Sequence, residues 1–244
     1  MKFAYDTNVG QVRHINQDCA CVLKNDHQEI FGIVCDGMGG HLAGEQASKM
    51  ALDSLCQSFL RNSPIGSKEK ALTWLNNAIY EANKEIYDDA LFNSAHKGMG
   101  TTVACCLILE DIIIIGHVGD SRIYLFDENH LVQLTKDHTY VNLLVDSGMI
   151  SKEQAKSHPK KNILMKALGV FEDVTISTSL LENKHQTLLL CSDGLYNALS
   201  DEQMIDVLVK DVPLEKKVLD LIDSANNNGG PDNISVVLID GGSL

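Results

Sequence analysis

Apolar positions along this chain follow two spacings. Short runs rich in Ile, Val, Leu and Cys, bounded by polar turn residues, occupy positions 18–23, 29–35, 101–109, 112–118, 121–126, 131–134, 174–180, 187–191 and 234–239, and they predict strands. The first two are joined by the polar turn Lys24-Asn25-Asp26-His27. Between them and the next strands lie two stretches of helical spacing. Over about 43–60, Ala47, Ala51, Leu55 and Phe59 recur every fourth residue and mark one buried face. Ser63-Pro64-Ile65-Gly66 breaks that helix. Over about 68–91, Leu72, Leu75, Ile79, Ala82 and Ile86 form a core-facing stripe. Shorter helices are expected at about 201–209 and 214–226. The stretch 137–172 differs from both, being mixed, polar and interrupted by Gly148 and Pro159. Strand runs segregated from helix runs predict an α+β protein with antiparallel sheets, not a doubly wound parallel sheet. No internal repeat or low-complexity segment is present.

Composition narrows the partners. At 244 residues the chain is long enough to bury a sizeable core without disulfides or metal staples. Its net charge is −13, which would repel phosphate backbones and anionic lipid, so neither nucleic acid nor a membrane is expected as a partner. Seven cysteines, two of them adjacent at Cys105-Cys106, contain no pair of Cys-x-x-Cys units, so neither a zinc site nor a disulfide framework is indicated. Most sit among apolar neighbours and read as small buried hydrophobes of a reducing compartment. Residues 1–6 carry no signal-peptide block, and the longest apolar run, 103–109, is far short of a membrane span, so a cytoplasmic protein is expected.

The candidate chemistry is carried by aspartates. Apolar strands lead to Asp36-Gly37, to Gly119-Asp120-Ser121 and to Ser192-Asp193-Gly194, and Pro231-Asp232-Asn233 stands before the last strand. Each alone is ordinary turn chemistry. Together they point to carboxylates gathered at strand tips by a rigid sheet, and oxygen-only ligands suit a hard cation such as Mg²⁺ or Mn²⁺. The glycine-rich segment 36–45 is not a P-loop, because Glu45 and Gln46 stand where Lys and Ser or Thr belong; it reads as a tight strand-to-helix turn. Arg13, in Gly10-x-x-Arg13-x-x-Asn16-Gln17-Asp18, is either a surface ion pair or, on a short strand near the carboxylates, a fork for phosphate.

These segments, with Asp36-Gly37-Met38-Gly39-Gly40-His41, Gly98-Met99-Gly100-Thr101-Thr102, Gly119-Asp120-Ser121-Arg122, Ser192-Asp193-Gly194-Leu195 and Gly229-Gly230-Pro231-Asp232-Asn233-Ile234-Ser235, follow one another in an order that resembles the PPM family of metal-dependent serine/threonine phosphatases, also called protein phosphatase 2C, in its compact bacterial branch. The resemblance spans nearly the whole chain. It implies a single domain over 1–244, a four-layer α-β-β-α sandwich of two central antiparallel sheets flanked by antiparallel helix pairs, and a mobile flap at about 137–172. It implies two Mg²⁺ or Mn²⁺ ions, Asp36 bridging both. Asp193 and Asp232 would complete the first site, the Gly37 carbonyl would join Asp36 on the second, and Asp18 would act on the second through water. A third ion would fall to Asp120 with Asp193. Arg13 would clamp the phosphate, and a hydroxide bridging the metals would attack phosphorus.

The same resemblance implies a monomer acting on phosphorylated proteins, with a eukaryote-like Ser/Thr kinase as its functional counterpart. Two other readings stay open: a catalytically inactive relative that binds phosphoproteins, and a hydrolase of small phosphate esters. The sequence departs from many eukaryotic members at Met38, where they carry a His credited with protonating the leaving oxygen. His41 does not inherit that role by alignment and reads as a turn or helix-start residue, leaving a metal-bound water as proton source. Lys152, Lys156, Lys160, Lys161 and Lys166 against Glu153 alone give residues 151–170 a local charge of +4. They are either a solvated lobe or an electrostatic guide for phosphorylated substrate.

Overall fold

In the computed structural model, residues 1–40 and 42–241 are described; His41 lies outside them. The chain runs through β1 (Lys2–Asn8), β2 (Asp18–Lys24), β3 (Ile30–Met38), α1 (Ala43–Arg61), α2 (Lys68–Phe92), β4 (Gly100–Thr101), β5 (Val103–Ile108), β6 (Ile112–Val118), β7 (Arg122–Asp127), β8 (His130–Gln133), α3 (Tyr140–Asp146), α4 (Lys152–Lys156), β9 (Ser177–Glu182), β10 (Thr187–Cys191), α5 (Asp193–Tyr196), α6 (Asp201–Leu208), α7 (Leu214–Asn227) and β11 (Ile234–Asp240). One sheet has the order β1-β11-β10-β7-β8 and the other β2-β3-β5-β6-β9, with β4 attached to β3. Every strand pairing is antiparallel.

Three apolar cores fill the spaces between four layers. Alternate residues of a strand point to opposite faces, and here both faces of the central strands are covered. In β10, Leu188 and Leu190 fill the space between the sheets, while Leu189 and Cys191 pack under α6 and α7. In β3, Ile30 and Val34 face the other sheet, while Phe31, Ile33 and Cys35 meet α1 and α2. Burial on both sides explains why these strands read as continuous apolar runs and not as alternating ones. On the helical side Phe31 stacks on Phe59 at 5.5 Å and meets the edge of Trp74 at 5.4 Å. The Ala47, Ala51, Leu55 and Phe59 face of α1 is fully buried, as the spacing predicts. Ser67 caps α2, its hydroxyl accepting from the Lys70 amide.

The structure departs from the sequence expectations at the sheet edges and around the short helices. β1 is not predicted: it is an edge strand in which only Ala4 is buried, so Lys2, Asp6, Thr7 and Asn8 dilute its apolar signal. β9, expected at 174–180, pairs with β6 over Ser177–Glu182 as an exposed edge. β3 does not end at Asp36 but continues to Met38, where Gly37 and Met38 pair with Thr101 and Gly100 of β4. Within 137–172 lie α3 and α4, the latter closed by a reciprocal capping box between Ser151 and Gln154. This segment is tied down by bridges Thr139↔Leu164 and Thr101↔Leu168.

At Gly116 of β6 the side chains of α2 pack directly on the sheet. A Cβ there would lie 2.7 Å from Ile79 Cδ1 and 3.0 Å from Leu75 Cδ2. Gly116→Val is therefore expected to destabilise the fold by about 1–3 kcal/mol through overpacking, read as a lower urea midpoint at unchanged slope.

Candidate active site

The carboxylates converge at one end of the sandwich because separate strands deliver them there. Asp18, the first residue of β2, stands directly opposite Asp36 in the β2–β3 register. By alternation from Val34, Asp36 points toward the facing sheet. Asp193 opens α5 immediately after β10, and Asp232 precedes β11, the strand paired with β10. Asp120 follows Gly119 in the turn between β6 and β7.

Hydrogen bonds fix the backbone beneath each of them. The Asp36 amide donates to Thr102 Oγ1 at 2.9 Å, and the Thr101 hydroxyl and the Thr102 amide both donate to the Asp36 carbonyl, each at 2.9 Å. Asn233 ties the loop at 9–17 to the Asp232 turn: its Nδ2 donates to the carbonyls of Val9 (2.9 Å) and Ile15 (3.0 Å), and its Oδ1 accepts from the Gln17 amide at 2.8 Å. Ser192 joins β10 to β11, its hydroxyl accepting from the Ser235 amide at 2.9 Å. Close backbone approaches complete the scaffold. A Cβ on Gly37 would fall 2.1 Å from the Gly44 carbonyl oxygen, and one on Gly10 would fall 2.2 Å from that of Asp232.

Arg13 is not on a strand but in the loop at 9–17. Its NH2 donates to Asp232 Oδ2 at 2.8 Å, and its side chain keeps 54% of its surface exposed. That bond, with the charges of Asp193 and Asp36, raises the guanidinium pKa. Gathering so many acids in one place has the opposite effect on the carboxyl groups. Burial, and then Asp18, Asp193, Asp120 and Asp232, push Asp36 well above the usual carboxylate range. Burial and the charges of Asp120, Asp232 and Asp18 raise Asp193 to about 8. Burial raises Asp18 to about 6. Asp120 rises to about 6 through burial and the charge of Asp137.

Both Asp18 carboxylate oxygens are buried and accept no hydrogen bond. Unpaired buried carboxylates are costly, and a hard cation is the partner their oxygens suit. The donor set therefore fits Mg²⁺ or Mn²⁺. Among the described residues no three His, Cys, Asp or Glu side chains already close on one point as a metal cage. The mutually repelling carboxylates gather around the end of the sandwich without collapsing on a centre.

Several supporting residues carried no sequence signal of their role. Asn233, Thr101 and Thr102 lie inside the motifs but reveal their work only through partners far along the chain. Arg122 reaches Asp137, with Nε 3.0 and 3.2 Å from its two oxygens, and places its guanidinium carbon 3.5 Å from the centre of the Tyr196 ring. Burial opposes that charge, and the Asp137 bonds outweigh it, holding the guanidinium above its ordinary pKa.

With this geometry in place, comparison with known proteins is direct. A model of the protein phosphatase 2C family matches residues 10–233. A serine/threonine phosphatase stp of Listeria welshimeri is 41% identical over 241 residues, covering 98% of this chain and 96% of the relative. The crystal structure of serine/threonine phosphatase Stp1 from Staphylococcus aureus superposes with a TM-score of 0.93 at 35% identity, over 99% of this chain and 95% of that one. The catalytic domain of the serine/threonine protein phosphatase PstP, solved in complex with two manganese ions, matches with a TM-score of 0.83 at 34% identity, over 98% and 97% of the two chains. The chain belongs to the protein phosphatase 2C family. Its fold is that family's α+β sandwich of two antiparallel sheets flanked by helices.

The raised carboxyl pKa values set the pH behaviour of the metal-free protein. An acid that binds its proton more tightly folded than unfolded favours the fold while protonated, and that advantage is lost as pH climbs through its folded pKa. With Asp18 and Asp120 at about 6 and Asp193 at about 8, chelator-treated protein should lose thermal stability from about pH 4 to about pH 8. Asp193→Asn should flatten the upper part of the fall, and Mn²⁺ should reverse it. A melting temperature that rises steadily across that window would contradict the electrostatics.

Proposed function

We propose that this protein serine/threonine phosphatase hydrolyses phosphoserine and phosphothreonine in proteins at a Mg²⁺ or Mn²⁺ centre held by Asp36, Asp193 and Asp232, with the Gly37 carbonyl and Asp18 serving a second ion and Asp120 with Asp193 a third. The observation that carries the reading is the crowding of these aspartates, drawn from β2, β3, the β6–β7 turn, α5 and the approach to β11, at one end of a rigid sandwich. Bound there, the ions would supply Lewis acidity toward the phosphoryl oxygens and an activated water.

The chain's own groups do the rest. Asp232 anchors Arg13 through one guanidinium nitrogen, and the exposed remainder of the fork suits two phosphate oxygens. The buried Thr102 hydroxyl accepts from the Asp36 amide and is itself held by the buried Ser121 hydroxyl, 2.6 Å away. Met38 offers no proton, so the leaving serine or threonine oxygen takes its proton from water. None of the five lysines at 152–166 is in an ion pair among the described residues. Their free charge supports the reading that this segment guides phosphorylated, acidic substrates to the site. From the family we infer that the substrates are proteins phosphorylated by a Ser/Thr kinase of the eukaryote-like type.

The deciding experiment measures phosphate release from a phosphothreonine protein, a phosphotyrosine peptide and a small aryl phosphate, with Mn²⁺ and after chelation. Turnover of the first should require metal and exceed that of the others. Full activity in excess chelator would overturn the metal mechanism, inactivity toward every phosphoprotein would leave a binding protein, and preference for the aryl phosphate a small-ester hydrolase. Asp193→Asn and Asp232→Asn are each expected to reduce kcat by at least about 100-fold, in keeping with loss of a group that holds the reacting centre, with the fold intact by circular dichroism.

Arg13→Ala should raise KM for the phosphopeptide. If the fork tightens as charge develops, kcat falls as well. An unchanged kcat/KM would reduce Arg13 to an ion pair with Asp232.

A further inference from the structure

Asp120 stands on the β6–β7 turn beside Gly119, and two consecutive residues of a later segment hold that turn. Gly119 sits at φ +114°, a conformation a side chain would resist. Its two peptide groups are both taken by His138: the Gly119 amide donates to His138 Nδ1 at 3.0 Å, and the His138 amide donates to the Gly119 carbonyl at 2.8 Å. A ring nitrogen that accepts from an amide carries the lone pair, so the ring proton is on Nε2, which donates to Ser177 Oγ of β9 at 2.9 Å. The ring lies against His117 of β6, centroids 4.5 Å apart.

The other side of the turn is held through Asp137. Its carboxylate grips Arg122, with NH2 2.7 Å from Oδ2. Arg122 lies over the Tyr196 ring, and the Tyr196 hydroxyl donates to the Asp120 carbonyl at 3.1 Å. Asp137 and His138 also open the segment 137–172. The His138 carbonyl accepts the Met165 amide at 2.8 Å, and the Asp137 carbonyl accepts Asn142 Nδ2 at 2.9 Å. The same two residues therefore face Asp120 on one side and the segment at 137–172 on the other.

We propose that Asp137 and His138 are positioning residues for the phosphatase reaction: they fix the place of Asp120 and couple it to the segment 137–172. A shift in that segment would then be felt at the ion Asp120 would hold, because a group placed loosely by its supporting residues loses affinity and rate together. This rests on the function proposed above, in which Asp120 serves a third ion.

Two substitutions at His138 separate positioning from mere stability. His138→Asn keeps an acceptor where Nδ1 meets the Gly119 amide. His138→Gln keeps a polar group where Nε2 meets Ser177 and gives up the Gly119 bond. Mn²⁺ binding is measured by calorimetry, kcat and KM on a phosphothreonine peptide, and exchange of the Gly119 amide by NMR. His138→Gln should weaken the weakest Mn²⁺ site, lower kcat by about 10–100-fold at nearly constant KM, and speed Gly119 exchange, whereas His138→Asn should retain most of each. In an Asp120→Asn background, His138→Gln should cost little more, since both act through one group.

Equal losses in the two His138 variants, full additivity with Asp120→Asn, or wild-type metal binding in His138→Gln would overturn the proposal. Wild-type turnover and ion count in Asp120→Asn would instead remove the third-ion assignment; the positioning role is then judged by Gly119 exchange, and fails if His138→Gln leaves it slow. Should the His138 variants not fold, Asp137→Asn, which weakens the grip on Arg122, must reproduce the loss of Mn²⁺ affinity and kcat, and fails the proposal if it does not.

Discussion

Carboxylates that repel one another are held together here by a scaffold that gives them no room to part. Asp18 and Asp36 are neighbours across a strand pair, Asp193 and Asp232 stand at the ends of adjoining strands, and both Asp18 oxygens are left without a hydrogen-bond partner. That is a standing cost to the fold. Many of the surrounding hydrogen bonds act on peptide groups, Thr101 and Thr102 on Asp36, Asn233 on the loop beside Asp232 and Tyr196 on Asp120, while the Asp232 and Asp193 carboxylates accept from Arg13 and Asn197. Asp18 keeps its lone pairs for a ligand, and the cost of burying it falls on the sandwich. Positive charge in the site relieves that cost, which links metal binding to stability in one step.

Rigidity comes from the depth of burial behind the site. The central strands are sealed on both faces, between the sheets and beneath the helical layers, so displacing any one of them opens two cores at once. The end of such a sandwich is a place where side chains from several strands are set with little freedom, while the helices α1 and α5, which begin beside Gly37 and at Asp193, close the corners. The segment at 137–172 is built otherwise, from short helices with few buried residues, and responds to its surroundings more readily than the sandwich does.

The sequence was most legible where burial is strongest. The stripes of α1 and α2 announce themselves as one buried face each, and the apolar runs of β5, β6, β10 and β11 because their surroundings demand apolar residues at nearly every position. β1 and β9 are obscured because an edge strand satisfies only one face and tolerates Lys2, Asp6 or Ser177. β3 looks finished at Asp36 because Asp-Gly ordinarily turns, whereas β4 captures Gly37 and Met38 and prolongs it. The aspartates of the site were visible as motifs. Their supports were not: the partnerships of Asn233 with Val9, of Thr102 with Asp36 and of His138 with Gly119 join residues whose side chains suit many roles, and only the fold decides which.

The pairing of β1 with β11 sets Lys2 opposite Asp240 and Asn8 opposite Ile234, so the first strand is completed by the last. Asp232 and the loop carrying Arg13 are fixed to one another by Asn233, and that turn is made only when the final strand has joined the sheet. The helical layer and the β2-β3-β5-β6 sheet rest on contacts closer in sequence, whereas this side of the centre is closed by the longest-range pairing in the fold. A cut anywhere between β1 and β11 would therefore leave Asp232 and the Arg13 loop joined only by the sheet and by Asn233.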